Sequence, residues 1–200
     1  MDQLISIFLP VYFLVYFSVA FVLKSWIVAK RIGKNPFVIP RDESAYGLIG
    51  FYFKVTLVGM FLYTILYAIF HTKDEFYLPI RQLEIVAIRY TGIGILFFAL
   101  AWTIIAQAQM KDSWRIGIDH DTASELVTTG LFSISRNPIF FGMTLSLLGL
   151  FLVTPNALTL GFLLMGHVLM QIQIRLEEEF LTKEHGQSYS DYTKKVRRMI

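Results

Sequence analysis

The chain has 200 residues, 55% of them hydrophobic and 16% charged, with 18 Phe and 10 Tyr, which is too apolar for an ordinary soluble domain. Its net charge of +3 is modest, with no basic stripe of the kind that binds nucleic acid. The lack of cysteine excludes disulfides, thiolate chemistry, Cys-ligated zinc and iron–sulfur clusters.

The apolar residues come in long runs, and a helix needs about 20 residues to cross the hydrocarbon core. The runs predict spans over residues 4–28, 46–70, 85–107, 138–153 and 157–174. The fold class expected is therefore an all-α integral membrane protein of about five transmembrane helices. It forms one domain over 1–200, with three spans in 1–109 and a loop, a helical hairpin and C-terminal helices in 110–200. The first run has no basic n-region and no small-residue cleavage site, and Lys24, Lys30 and Arg31 follow it, so it reads as a span rather than a signal peptide.

Lysine and arginine set the orientation. Lys24, Lys30, Arg31, Lys34 and Arg41 fill the first loop, and Lys111, Arg115 and Arg136 the third. Lys183, Lys194, Lys195, Arg197 and Arg198 fill the tail, whereas the second loop has only Lys73 and Arg81 against Asp74 and Glu75. The expected topology is N-terminus outside and C-terminus cytoplasmic, in what the brevity of the chain suggests is a prokaryotic inner or plasma membrane.

Thr154-Pro155-Asn156 is the only break between the last two spans. Pro155 disfavours a helical Thr154, so a tight antiparallel hairpin is expected, with Gly142, Ser146 and Gly149 as its small-residue packing surface. The polar segment 110–135 is long enough to be functional rather than a plain connector. Beyond Arg175 the pattern turns amphipathic through Phe180, Leu181, Tyr189, Tyr192 and Val196. This predicts a helix to about His185, a break at Gly186 and a short helix folded back on the cytoplasmic face.

At 100° per residue, His167, Gln171, Arg175 and Glu178 fall within about 80° of one helix face. Polar groups stacked this way are expected to look into the bundle. His167 can serve there as a group bonded to a neighbouring backbone or as a functional one. Arg175 and the Glu177-Glu178 pair stand at the cytoplasmic mouth. Upstream the chain reads LVTTGLFSISRNPIFFG from Leu126. Gly130 allows a turn with positive φ, and Pro138 suits the first turn of a helix. Asn137 is then at the N-cap, either as a cap or as a ligand group, with Arg136 before it. Free amides at that helix start attract a carboxylate or phosphate.

These residues resemble the membrane methyltransferase superfamily that includes isoprenylcysteine carboxyl methyltransferases and phospholipid N-methyltransferases. Its pattern is LV-x-x-G-x-[YF], R-[HN]-P-x-[YF]-x-G and E-E-x-x-L, followed by G-x-x-Y-x-x-Y and a basic terminus. Leu126-Val127, Gly130, Phe132, Arg136-Asn137-Pro138, Phe140, Gly142, Glu177-Glu178, Leu181, Gly186, Tyr189, Tyr192 and Arg198 match it, over a little more than a third of the chain. Asn137 stands where the isoprenylcysteine enzymes usually carry histidine, and Phe140 where tyrosine is common. The resemblance implies S-adenosylmethionine as methyl donor and a lipophilic or amphipathic acceptor, isoprenylcysteine-carboxylate-like or phospholipid-like, that reaches the site from the bilayer. Carried over by position, the cofactor contacts are Leu126, Val127, Gly130, Arg136, Asn137, Pro138, Phe140, Gly142, Glu177 and Glu178. Arg175 or Arg136 would orient a carboxylate acceptor, and His167 or Glu178 would serve as base for an amine or thiol.

Other features read more plainly. Asp119-His120-Asp121 with Glu125 is expected to be a solvated loop, not a metal site. Trp114-Arg115 either covers the cofactor or anchors at the interface, and Arg89 either snorkels or pairs across the bundle. Two rival functions are an NADPH-dependent membrane reductase of the sterol reductase type and a non-catalytic membrane partner protein.

Overall fold

The computed structural model describes residues 1–38, 44–117 and 125–200, which are helical with only isolated β-bridges. Helix α1 (Asp2–Phe17) passes through a π-helical stretch, Ser18–Leu23, into α2 (Lys24–Ile32), making one continuous apolar rod. A π-turn breaks the regular ladder, and the buried Gln107 side chain donates to the Ala20 carbonyl there at 2.9 Å. The chain continues as α3 (Ala45–Phe70), α4 (Val86–Met110), α5 (Pro138–Val153), α6 (Ala157–His185) and α7 (Gln187–Lys195).

Four helical stretches, Asp2–Ile32, Ala45–Phe70, Val86–Ser113 and Ala157–His185, are long and apolar enough to cross a membrane. The 16 residues of α5 reach only about 24 Å, short of the roughly 30 Å hydrocarbon core. The chain is an all-α integral membrane protein whose helices lie on the predicted runs.

Small residues bring α4 and α5 together. A Cβ on Gly92 would stand 2.9 Å from the Gly149 carbonyl and the Val153 amide, and one on Gly142 only 2.3 Å from Thr103 Oγ1. The small-residue face expected to close the α5–α6 hairpin is thus turned to α4. The hairpin relies instead on Gly166, which receives the Leu147 side chain. Tyr12 donates to the Leu96 carbonyl at 2.8 Å and Tyr16 meets Thr103 at 3.0 Å, so hydrogen bonds join α1 to α4.

At the α5–α6 turn, Asn156 and Thr159 form a reciprocal capping box, and Asn156 Nδ2 donates to Tyr63 at 2.8 Å. The loop between α3 and α4 is pinned there, with Ile80 N bonded to the Pro155 carbonyl at 2.8 Å and Ala157 N to the Leu78 carbonyl at 3.1 Å. A core of Ile5, Leu9, Tyr63, Tyr67, Tyr77, Leu96, Leu150 and Val153 fills this end. Arg89 pairs with Asp2 and Glu84, so it is held within the protein rather than snorkelling.

At the other end, Val38 N bonds the Ile116 carbonyl and Ile116 N the Pro36 carbonyl, each at 2.9 Å. Trp114 is buried and packs in protein, not lipid. Arg41, Asp119, His120 and Asp121 lie outside the described residues, and among the described residues no His, Asp and Glu cluster could hold a metal. Gly186, at φ +52, ends α6 and turns the chain into α7.

Candidate functional site

Two segments far apart in sequence meet beyond the cytoplasmic end predicted for α6. The RNP stretch before α5 lies beside the C-terminal tail. Arg136 N donates to the Arg197 carbonyl at 2.9 Å, and Ser135 pairs with Arg197 as a parallel bridge. Arg136 Nη1 reaches the carbonyls of Thr193 at 3.1 Å and Val196 at 2.7 Å, which the end of α7 leaves without helical partners.

Glu178 joins these segments to α6. Its Oε1 accepts from Arg136 Nε at 3.0 Å and Nη2 at 2.8 Å. Its Oε2 accepts from Arg198 Nε at 2.8 Å and Nη2 at 2.7 Å. Asn137 Nδ2 stands 3.5 Å from Oε1 and donates to the Arg198 carbonyl at 3.1 Å. A carboxylate offers about four lone-pair sites, and here two guanidinium forks fill them. Glu178 and the Arg136 side chain are both largely buried. Such pairs are costly to break because the survivor is left charged and alone.

Asn137 occupies the N-cap position of α5 but makes no side-chain cap bond. The cap bond, one of the two roles expected there, is absent, and the side-chain Nδ2 is turned to the tail. Pro138 does open the helix as predicted, and its carbonyl accepts from Trp102 Nε1 at 2.9 Å. Arg136 is bound within the protein, so it is not the open anion-binding group that its place before a helix promised.

Glu177 differs from its neighbour. Its Oε1 accepts from Gln173 Nε2 at 2.9 Å, and that amide also lies 3.5 Å from the Tyr46 hydroxyl at the start of α3. Among the described residues Oε2 carries no bond. Gln173 stands one turn before Glu177, a spacing visible in the sequence; Tyr46 gave no signal there.

The expected polar seam of α6 divides. Glu178 is buried, whereas His167 and Arg175 are exposed, and among the described residues Arg175 bonds only Gln171 of its own helix, at 2.6 Å to the carbonyl and 3.2 Å to Oε1. His167 precedes Glu177 by about 15 Å of helix rise and does not join the cluster.

The segment before RNP is anchored to α4. Gly130 has φ +64, and a Cβ there would stand 2.5 Å from Gln109, whose Oε1 accepts from Leu131 N at 2.8 Å. Leu126, Val127 and Phe140 are half-buried and Gly142 is buried against α4. Tyr192 donates to the Phe132 carbonyl at 2.5 Å, tying α7 down. Burial pushes the Tyr192 phenol up to about 12, and burial reinforced by the Glu178 charge raises that of Tyr189, so both stay neutral.

The profile of the phospholipid methyltransferase family matches residues 87–188, just over half of the chain. No curated protein and no solved structure matches it.

Proposed function

We propose, from the premise that the chain belongs to the phospholipid methyltransferase family, that it moves a methyl group from S-adenosylmethionine to a lipid-borne acceptor beside Glu177. The observation that carries this reading is the division of work between adjacent carboxylates. Glu178 is consumed by Arg136 and Arg198, while Glu177 is oriented by Gln173 and keeps an oxygen unbonded among the described residues.

The residues fit the donor. The open oxygen of Glu177 suits the methionyl ammonium or the ribose hydroxyls, as a charge-assisted acceptor. The first-turn amides of α5, left without a side-chain cap, suit the methionyl carboxylate. Leu126, Val127 and Phe140, half-buried and apolar, suit the donor's less polar parts. When bound, the donor supplies an electrophilic methyl on a sulfonium. The chain's own task is to hold two reactants in line and keep water out, which a rigid clamp at Glu178 serves. Arg175, exposed on α6, is suited to an acceptor's phosphate at the lipid boundary. The basic loops support a cytoplasmic position for this end.

The test is a calorimetric titration of the detergent-purified chain with S-adenosylhomocysteine. Binding is expected, with a loss of about 1.5–3 kcal/mol in Glu177→Gln and no change in thermal stability. Binding of NADPH instead would overturn the reading in favour of a reductase. Binding of neither would leave a non-catalytic partner protein.

A further inference from the structure

A second polar site lies at the opposite end of the bundle. Asn156, at the start of α6, precedes Glu178 by about 33 Å of helix rise. Around the α5–α6 turn is a cavity of about 130 Å³ whose lining includes Asp2, Tyr77, Arg81, Glu84, Arg89 and Asn156. Arg89, with its side chain 14% exposed, pairs with Asp2 and Glu84. Arg81 meets Glu84 at 2.9 Å and Glu75 at 2.5 Å.

Two of the lining residues carry a polar atom with no partner among the described residues. These atoms are Arg89 Nε and the hydroxyl of Tyr77, both shielded from solvent. Tyr77 itself is 2% exposed. Buried polar groups are nearly always bonded, and an orphan costs about 1–3 kcal/mol. Both orphans can donate, so the missing group is an acceptor. A bare anion is a poor answer, because Asp2 and Glu84 in the lining already balance the charges of Arg81 and Arg89. A group with an anionic part for Arg89 and Tyr77 and a cationic part for the carboxylates matches both observations. The surroundings point to its source: Leu4, Phe76, Leu78, Ile85 and Val86, each next or close in sequence to a lining residue, are all exposed. Apolar side chains exposed around a polar mouth at the end of a membrane bundle suit acyl chains.

We infer that this cavity binds the zwitterionic phosphate–ammonium headgroup of a membrane lipid, in the leaflet opposite the Glu177 site. The phosphate takes the hydrogen bonds of Arg89 Nε and Tyr77, and the ammonium lies toward Asp2 and Glu84. The site is independent of methyl transfer, and its ligand need not be a methyl acceptor.

The experiment is native mass spectrometry of the full chain in detergent, titrated with phosphatidylcholine, phosphatidylglycerol and free phosphocholine. Phosphatidylcholine, whose nitrogen is fully methylated, should be retained in preference to phosphatidylglycerol and to phosphocholine. Tyr77→Phe keeps the ring and removes only the unpartnered oxygen, and should weaken that retention about fivefold. Arg89→Lys keeps a cation for Asp2 but loses Nε, and should weaken it about tenfold. Equal retention by the wild type and Tyr77→Phe would overturn the site. A preference for phosphatidylglycerol would overturn the zwitterion, and phosphocholine bound as tightly as the lipid would overturn the membrane source.

Discussion

Arg136 and Glu178, 42 positions apart, meet through two hydrogen bonds of 3.0 and 2.8 Å to one carboxylate oxygen. This contact ties the start of α5 to α6, and the same guanidinium reaches on to the end of α7. Arg136 therefore assembles the cluster rather than offering itself to a ligand.

Glu178→Gln should accordingly behave as a stability variant. Losing the charge leaves the largely buried Arg136 without its counter-ion, at a cost of about 3 kcal/mol. Thermal unfolding in detergent should show a clear fall in Tm, with donor binding lost only as the cluster loosens. Glu179→Gln, at an exposed position bonded to Lys183, should leave Tm unchanged. Equal melting of the two variants would remove Glu178 from its structural role.

Gln173→Leu separates orientation from folding. It frees Glu177 to turn, and affinity for S-adenosylhomocysteine should fall by about 0.5–1.5 kcal/mol. Tyr46→Phe removes the longer, 3.5 Å contact to the same amide and should do less. The check is calorimetry on both variants at matched Tm, and the reverse ranking would refute the orienting bond.

Asn137 gives a ranking opposite to that of a helix cap. A cap tolerates aspartate, but Asn137→Asp loses the donor to the Arg198 carbonyl and adds a negative charge beside Glu178. It should destabilise the protein by about 1–3 kcal/mol. Asn137→His keeps a ring N–H donor and should melt closer to the wild type. Should aspartate prove the milder change, the bond to the tail is of no consequence.

The basic loops predict that α7 and the tail lie in the cytoplasm. A C-terminal reporter active only outside the cytoplasm should be silent, and one active inside should signal. A strong outside signal would reverse the membrane orientation of the Glu177 site.

The spans were legible because runs of about twenty apolar residues have few other uses. Partner choice was not. Gly142 and Gly149 announced a close approach, yet nothing local says that α4 rather than α6 makes it. On a helical wheel Glu178 lies within about 20° of His167, yet one is buried and the other exposed. The difference arises from the tail, which covers only the last turns of α6. The RNP and Glu-Glu motifs could be read as a pair, but the role of Arg198 depends on a contact across 61 positions that no helical period reveals.

The order in which the polypeptide leaves the ribosome gives that long-range contact a further meaning. Arg136 and Glu178 are delivered well before Val196 and Arg198, whose carbonyls and guanidinium complete their surroundings. The membrane helices can insert while the cluster is still open, and the cluster closes only when residues 193–198 dock. Proteolytic trimming behind Tyr192 would therefore leave a protein that is still inserted in the bilayer but has lost the latch of its own site.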